Sequence, residues 1–425
     1  MAQSYLSADS ISCHLDRPRA STQVERFLVD FLMALFLGMI TRITIFPSLN
    51  MLAWIVMDLV ILSVLSKNAS KFLIVCRSNC LLFLWPFLAI SSSLWSINSS
   101  VSFYHGIQFG FNTLAGLVIA TALGLQRFLS VLRLFGFIFT SLSLLYDAVD
   151  PNISRDIAGF FRGVFLHKNE LGMFSTLQMM ICFLLFLQGP SRFFSAICFL
   201  VSCVTLLKSG SGTSLLVSLL MMLVIPILFL VRQSIFAASQ IAGLFVALIA
   251  SVSLILIVNQ FDIIDYVLLA LGKDAGLTGR DLIWRIGLDA VESRPVFGHG
   301  FLAYWASSDS TAGYLRFVLK QDLVALHNVY LEVTVAFGLI GLIVFLLSIL
   351  QQILRGGLFF FRDSRIISSM PLLFCFWISL MCLSENPIFW NSQLNFIFMG
   401  FAALNLGQGR VGICYRSDVS SRFDQ

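Results

Sequence analysis

Charged side chains are scarce in this chain: 12% of its 425 residues, against roughly 25% in a soluble domain. A soluble globular fold is thereby excluded. Walker loops and Gly-Lys-Ser/Thr turns are missing as well, so ATP is not an evident substrate. The outer stretches hold no Asp-x-Asp pair and no His/Cys/Asp set at metal-ligand spacing, and no cofactor motif appears. No basic stripe interleaved with aromatics suggests nucleic acid. Nine cysteines are present, but none falls within 148–170 or 258–327, so no disulfide framework is indicated. Cys76 and Cys80 have i,i+4 spacing and read as small apolar residues of a span. Internal repeats and low-complexity linkers are lacking too, which leaves 1–425 as a single integral membrane domain.

What fills the chain is apolar sequence: 58% hydrophobic residues, including 42 Phe, and a mean hydropathy of +0.91. A membrane span needs about 20 apolar residues. On that length the chain predicts an all-α polytopic protein of about 12 transmembrane helices. They fall at 27–46, 48–66, 79–96, 105–123, 128–147, 171–188, 193–208, 212–231, 236–257, 328–350, 367–384 and 387–406. The first apolar run is too long, and lacks the small-residue site, for a cleavable signal. Placing both termini inside puts fifteen of the 27 Lys and Arg in inner segments. Only Arg42 and Lys208 then fall in short outer loops, as the positive-inside bias requires. Two long outer loops remain: a basic one, 148–170, and a large one, 258–327.

This threading delivers five polar clusters to one face, which suits an active site at a membrane surface rather than a pore lining. In the first, Gly159-Phe-Phe-Arg-Gly-Val-Phe-Leu-His-Lys-Asn-Glu-Leu-Gly172, two permanent cations, Arg162 and Lys168, sit with His167 and Asn169. They suit an anionic head group such as phosphate, although Lys and Arg beside aromatics also make an ordinary interfacial belt. The second, Lys208-Ser-Gly-Ser-Gly-Thr-Ser214, is a small-residue turn able to present backbone N–H groups to an anion; turn chemistry alone also accounts for its Gly and Ser.

The third cluster reads as a capped amphipathic helix from Thr278 to Pro295. Asp281, Arg285, Asp289 and Glu292 form its solvated stripe. Arg280, at about 100° per residue, falls instead with Trp284 and Val291 on the apolar side. A charge there, near a helix N-terminus, is poised for an anionic ligand; the alternative is a first-turn Arg splayed to water. In Pro295-Val-Phe-Gly-His-Gly-Phe301, His299 is a candidate contact and the glycines serve the loop. The fourth cluster opens a span with His327-Asn-Val-Tyr-Leu-Glu332. An imidazole at the water–lipid boundary can take a proton from a sugar hydroxyl, while Asn328 and Glu332 share a helical face and orient the substrate. Gly338 and Gly341 read as close-packing residues. Glu385-Asn-Pro is weak evidence by itself.

These clusters, in this order, resemble the O-antigen ligase/polymerase superfamily, nearest to its succinoglycan-type exopolysaccharide polymerases. The likeness rests on the 162–172 motif, Leu277-Thr-Gly-Arg-Asp-Leu-Ile-Trp284, Pro295–Phe301, and His327–Glu332 followed by Phe337-Gly-Leu-Ile-Gly341. Ser93-Leu-Trp-Ser-Ile-Asn-Ser-Ser-Val-Ser102 is similar to an earlier family stretch. The resemblance implies a GT-C-like fold in a bacterial inner membrane, with a large periplasmic loop. It implies metal-independent glycosyl transfer from an undecaprenyl-diphosphate-linked oligosaccharide, with a chain-length regulator and a flippase as partners. By position, Arg280 and His327 match the family's essential Arg and His, and Arg162 and Lys168 its earlier basic motif. The chain departs from the pattern at Gly212, where a cation often stands; either Lys208 supplies that cation from nearby, or phosphate binding here is weaker or differently built. A ligase moving finished glycan to lipid A core is the alternative within the class. A flippase or ion-coupled transporter is the alternative outside it, with Asp58 as its clearest mid-membrane acid and Asp30 nearer a helix end.

Overall fold

A computed structural model describes residues 47–67, 80–122, 125–156, 159–189, 191–231, 280–307, 310–313 and 325–387. The expected spans 27–46, 236–257 and 387–406 lie outside them, apart from Pro387. The described elements are helices: α1 (Pro47–Lys67), α2 (Cys80–Ser91, extended by a 3-10 turn Ser92–Leu94), α3 (Ser99–Ala122), α4 (Leu125–Val149) and α5 (Lys168–Gln188). Beyond these come α6 (Arg192–Ser209), α7 (Gly212–Val231), α8 (Arg280–Ser293), α9 (Val329–Arg362) and α10 (Met370–Met381), with short turns at Pro151–Ser154 and Ala303–Ala306. Among the described residues the nearest approach to a strand is an isolated bridge between Arg155 and Phe161. Five of these helices, α4, α5, α6, α7 and α9, are long and apolar enough to cross a membrane.

The helix ends reflect local chemistry. α5 starts at Lys168, after a turn through 163–167 in which Gly163 takes φ +58. α6 ends at Gly210 in the left-handed region, the usual C-terminal stop. α9 starts behind Asn328, whose side chain accepts the Leu331 N–H at 3.1 Å, an N-cap contact.

α5 is the central helix, buried almost continuously from Leu171 to Leu185 and packed by α4, α6, α7 and α10. Between apolar helices in a membrane, close approach and interhelical hydrogen bonds replace hydrophobic driving force. The contacts obey that rule. A Cβ on Gly172 would stand 2.7 Å from Ser214 Oγ, so α5 and α7 meet closely only because Gly172 has none. Thr176 donates to the Ser214 carbonyl at 3.1 Å, Ser175 and Thr205 pair at 2.9 Å, and Gln178 donates to the Arg133 carbonyl at 2.7 Å.

α9 is 34 residues long but not one helix. Gly338 has φ 67 and ψ −163, a region open essentially to glycine alone. The segment 295–300 lies in the break: His299 N–H reaches the Val335 carbonyl at 2.8 Å, Gly300 N–H that of Ala336 at 2.9 Å, and Leu339 N–H that of Pro295 at 2.8 Å. These bonds satisfy backbone groups that the interrupted helix would otherwise strand. Gly338 thus does more than ease packing between helices: it lets a loop enter one.

Because the helices alternate, the starts of α3, α5, α7 and α9 and the ends of α2, α4, α6 and α10 gather at one end of the body. Side-chain contacts tie the five polar clusters together there. Asn169 bonds Glu385, Thr213 bonds Ser384, His327 faces Glu385, and Trp284 bonds Leu326.

Candidate functional site

His327 sits immediately before the α9 cap and has φ +52, a left-handed conformation that a non-glycine residue seldom takes. Its Nδ1 lies 3.5 Å from Glu385 Oε2. The other carboxylate oxygen, Oε1, accepts from Asn169 Nδ2 at 2.8 Å. Glu385 is only 4% exposed, whereas the His327 side chain is 42% exposed. A buried anion therefore stands behind an accessible imidazole. The Val329 N–H bond to the Cys382 carbonyl, 2.9 Å, docks the start of α9 on the end of α10 and fixes this alignment. Three helix termini, of α5, α9 and α10, thus contribute one group each. Glu385 is the member whose weight the sequence understates. Its one signal there is an acid at a span boundary on the same side as His327.

His167 lies at the same junction. Loss of water around its ring holds its pKa below the usual histidine range, helped by the charges of His327 and Arg162 and opposed by Asp156 and Glu385. Arg162 turns its guanidinium onto the carbonyls of Arg155, Leu166 and Ile153, at 3.1, 3.5 and 3.4 Å. It staples its own loop with three of a guanidinium's five N–H groups. Lys168 places Nζ 3.2 Å above the Phe160 ring, a cation–π contact.

Lys208 is bound to Asp147, with Nζ 2.5 Å from Oδ2, and lies 5.0 Å from the Phe161 ring centre. Asp147 also accepts from Ser154 Oγ at 2.7 Å and faces Arg155 at 3.5 Å. Lys208 therefore has an internal counter-ion, while 42% of its side chain stays exposed.

The third cluster forms the helix expected of it. Arg285, Asp289 and Glu292 are exposed, and Ile286, Gly287 and Ala290 are buried. Arg280 is the first residue of α8; its side chain, with Thr278 and the side chain of Asp281, lies outside the described residues. Trp284, about 6 Å further along the helix axis, donates Nε1–H to the Leu326 carbonyl at 2.8 Å. The start of α8 is thereby tied to the peptide that leads into His327. His299 is 8% exposed and directs Nε2 at the Ala290 carbonyl, 2.9 Å, and Ser293 Oγ, 3.3 Å. It closes the end of α8, and burial pushes its pKa down. Glu332 is buried too, taking Trp305 Nε1–H at 2.5 Å and the Leu326 N–H at 2.9 Å.

Chemically, the junction offers an oriented imidazole with a carboxylate behind it, and His167 with the Arg162 charge beside it. That set can remove a proton from a hydroxyl and hold an anionic leaving group.

Comparison with known proteins gives two matches. Residues 197–346 match the family described as O-Antigen ligase, a stretch that holds Lys208, Arg280, His299 and His327 but neither the 162–169 motif nor Glu385. Over 286 residues the chain is 27% identical to the exopolysaccharide production protein ExoQ of Rhizobium meliloti (strain 1021). The match covers 61% of this chain and 62% of that relative's length. With its apolar helices, the chain has the features of a bacterial membrane protein, and both matches support the resemblance of its motifs to the O-antigen ligase/polymerase superfamily.

Proposed function

We propose that this protein is a polysaccharide polymerase. It moves a growing glycan from undecaprenyl diphosphate onto a hydroxyl of a new lipid-linked repeat unit, at the periplasmic face of the inner membrane, with both termini inside. The observation that carries the reading is the meeting of His327, Glu385 and Asn169, with His167 and Arg162 beside them, at one end of the helical body.

In this reading Glu385 holds the proton on His327 Nδ1 and leaves Nε2 to accept one. The acceptor hydroxyl gives its proton to Nε2 as its oxygen bonds the anomeric carbon. The bond from that carbon to the diphosphate oxygen breaks, and the diphosphate departs with the electron pair. Arg162, Lys168 and Arg280 stabilise the charge gathering on it without a metal, and Lys208 joins them from its place beside Asp147. A ligase uses the same chemistry on another acceptor. The relative's name, an exopolysaccharide production protein, supports a role in polysaccharide assembly.

The test is a deletion strain complemented with Arg280→Ala or His327→Ala and assayed for surface and lipid-linked saccharide. Polymer disappears and single lipid-linked repeats accumulate. Normal chain length in both strains refutes the proposal.

A further inference from the structure

Leu326, the residue before His327, is held at its backbone N, its carbonyl and its side chain. Its N–H donates to Glu332 Oε2 at 2.9 Å, and its carbonyl accepts Trp284 Nε1–H at 2.8 Å. Its side chain is fully buried in a small second core with Ile286, Ala290, Tyr304 and Val335. The remaining Glu332 oxygen takes the Trp305 indole N–H at 2.5 Å. Glu332 is 4% exposed, and both its oxygens are engaged by protein N–H groups. That is a poor arrangement for meeting a glycan and a good one for fixing a peptide. Directly after the fixed peptide stands His327 at φ +52, a backbone state that L-residues avoid unless their surroundings impose it.

We infer that Glu332 and Trp284 are positioning residues. They grip Leu326 from opposite sides and impose the left-handed turn that aims the His327 imidazole at Glu385. The inference rests on the proposed role of His327. It also gives α8 a second task, since the helix that begins with Arg280 is then an arm setting the distance between that arginine and His327.

The experiment uses the full chain in lipid nanodiscs for binding and melting, and membrane vesicles of the deletion strain for the rate of polymer formation. Trp284→Phe keeps an aromatic ring and removes one N–H. Glu332→Gln keeps the volume but sets an NH2 group against a backbone or indole N–H. Each variant slows polymer formation ~10–100-fold, the scale of a misplacement of about 1 Å at a reacting group. Binding of undecaprenyl diphosphate, the probe, stays within about twofold, since on this inference neither side chain touches it. In a His327→Ala background neither change lowers the residual rate further, because both act through that imidazole.

Undiminished polymer formation in both variants overturns the inference. So does a parallel loss of probe binding, which would make these residues ligand contacts, or a collapse of melting temperature in both, which would make them props of the fold. Should His327→Ala alone polymerise normally, the functional reading fails first and the positioning role goes with it.

Discussion

Replacing Gly338 by alanine tests whether the break in α9 is built for the loop that occupies it. An added Cβ would stand 2.1 Å from the Val296 carbonyl oxygen, 2.2 Å from its carbon and 2.6 Å from Phe297 N. All three are backbone atoms, so no side chain can swing aside. The backbone state itself costs a non-glycine residue about 1–3 kcal/mol, and forced overlap in a packed interior adds about 1–3, for a total of roughly 2–6 kcal/mol. The three backbone bonds that hold 295–300 in the break are the contacts that must yield. Gly357, on the same helix, is the internal control: nothing lies within 4 Å of its Cβ position. Alanine there is neutral or gains up to about 1 kcal/mol from helix propensity. Thermal melting of the two purified variants in detergent reads the difference directly, and lipid-linked saccharide profiles report whether His327 is still in place. Equal melting temperatures for Gly338→Ala and Gly357→Ala would refute the reasoning.

Glu385→Gln removes the anion facing His327 Nδ1 and should cut polymer formation roughly 100-fold, the scale of losing an oriented base; a wild-type polymer size distribution on gels would remove Glu385 from the site. His299, with its pKa held down by burial, stays unprotonated in the fold while the unfolded chain takes up a proton. Its contribution to stability is therefore complete above about pH 6.5 and is lost as the pH falls below that value. Melting curves at pH 7.5 and 5.5 should show a smaller drop for His299→Gln than for wild type, and parallel drops would contradict the assignment. Asp58→Asn, on α1, should leave polymer length unchanged, whereas lost surface polysaccharide there, with Arg280→Ala silent, would favour the transporter reading.

Long or periodic features are plain in the sequence. The expected span 212–231 coincides with α7, and 171–188 and 128–147 lie within α5 and α4, because hydropathy alone sets such lengths. The solvated stripe of α8 is equally legible, since Arg285, Asp289 and Glu292 repeat at helical spacing. Contacts between distant positions are not. Asn169 and Glu385 are 216 residues apart, and Asp147 and Lys208 are 61 apart; no local pattern marks either pair. Asp147 and Glu385 each look like an acid closing an apolar run, yet one neutralises a lysine and the other backs an imidazole. The break at Gly338 is hidden for a different reason. Phe337-Gly-Leu-Ile-Gly341 is as apolar as the residues around it, and only the intruding segment shows that the helix stops there.

That interruption has a mechanical result. An unbroken rod of 34 residues would reach about 51 Å, far more than the roughly 30 Å of a bilayer's hydrocarbon, and any tilt taken up to match lipid thickness would swing its far tip. With the rod cut at Gly338, the 295–300 segment ties both limbs, the upper at Val335 and Ala336 and the lower at Leu339. The upper limb, which follows directly on His327, is moored a second time, at its start, to the end of α10 through Val329. The imidazole thus stands on a short limb tied at both its ends, not on the tip of a long rod.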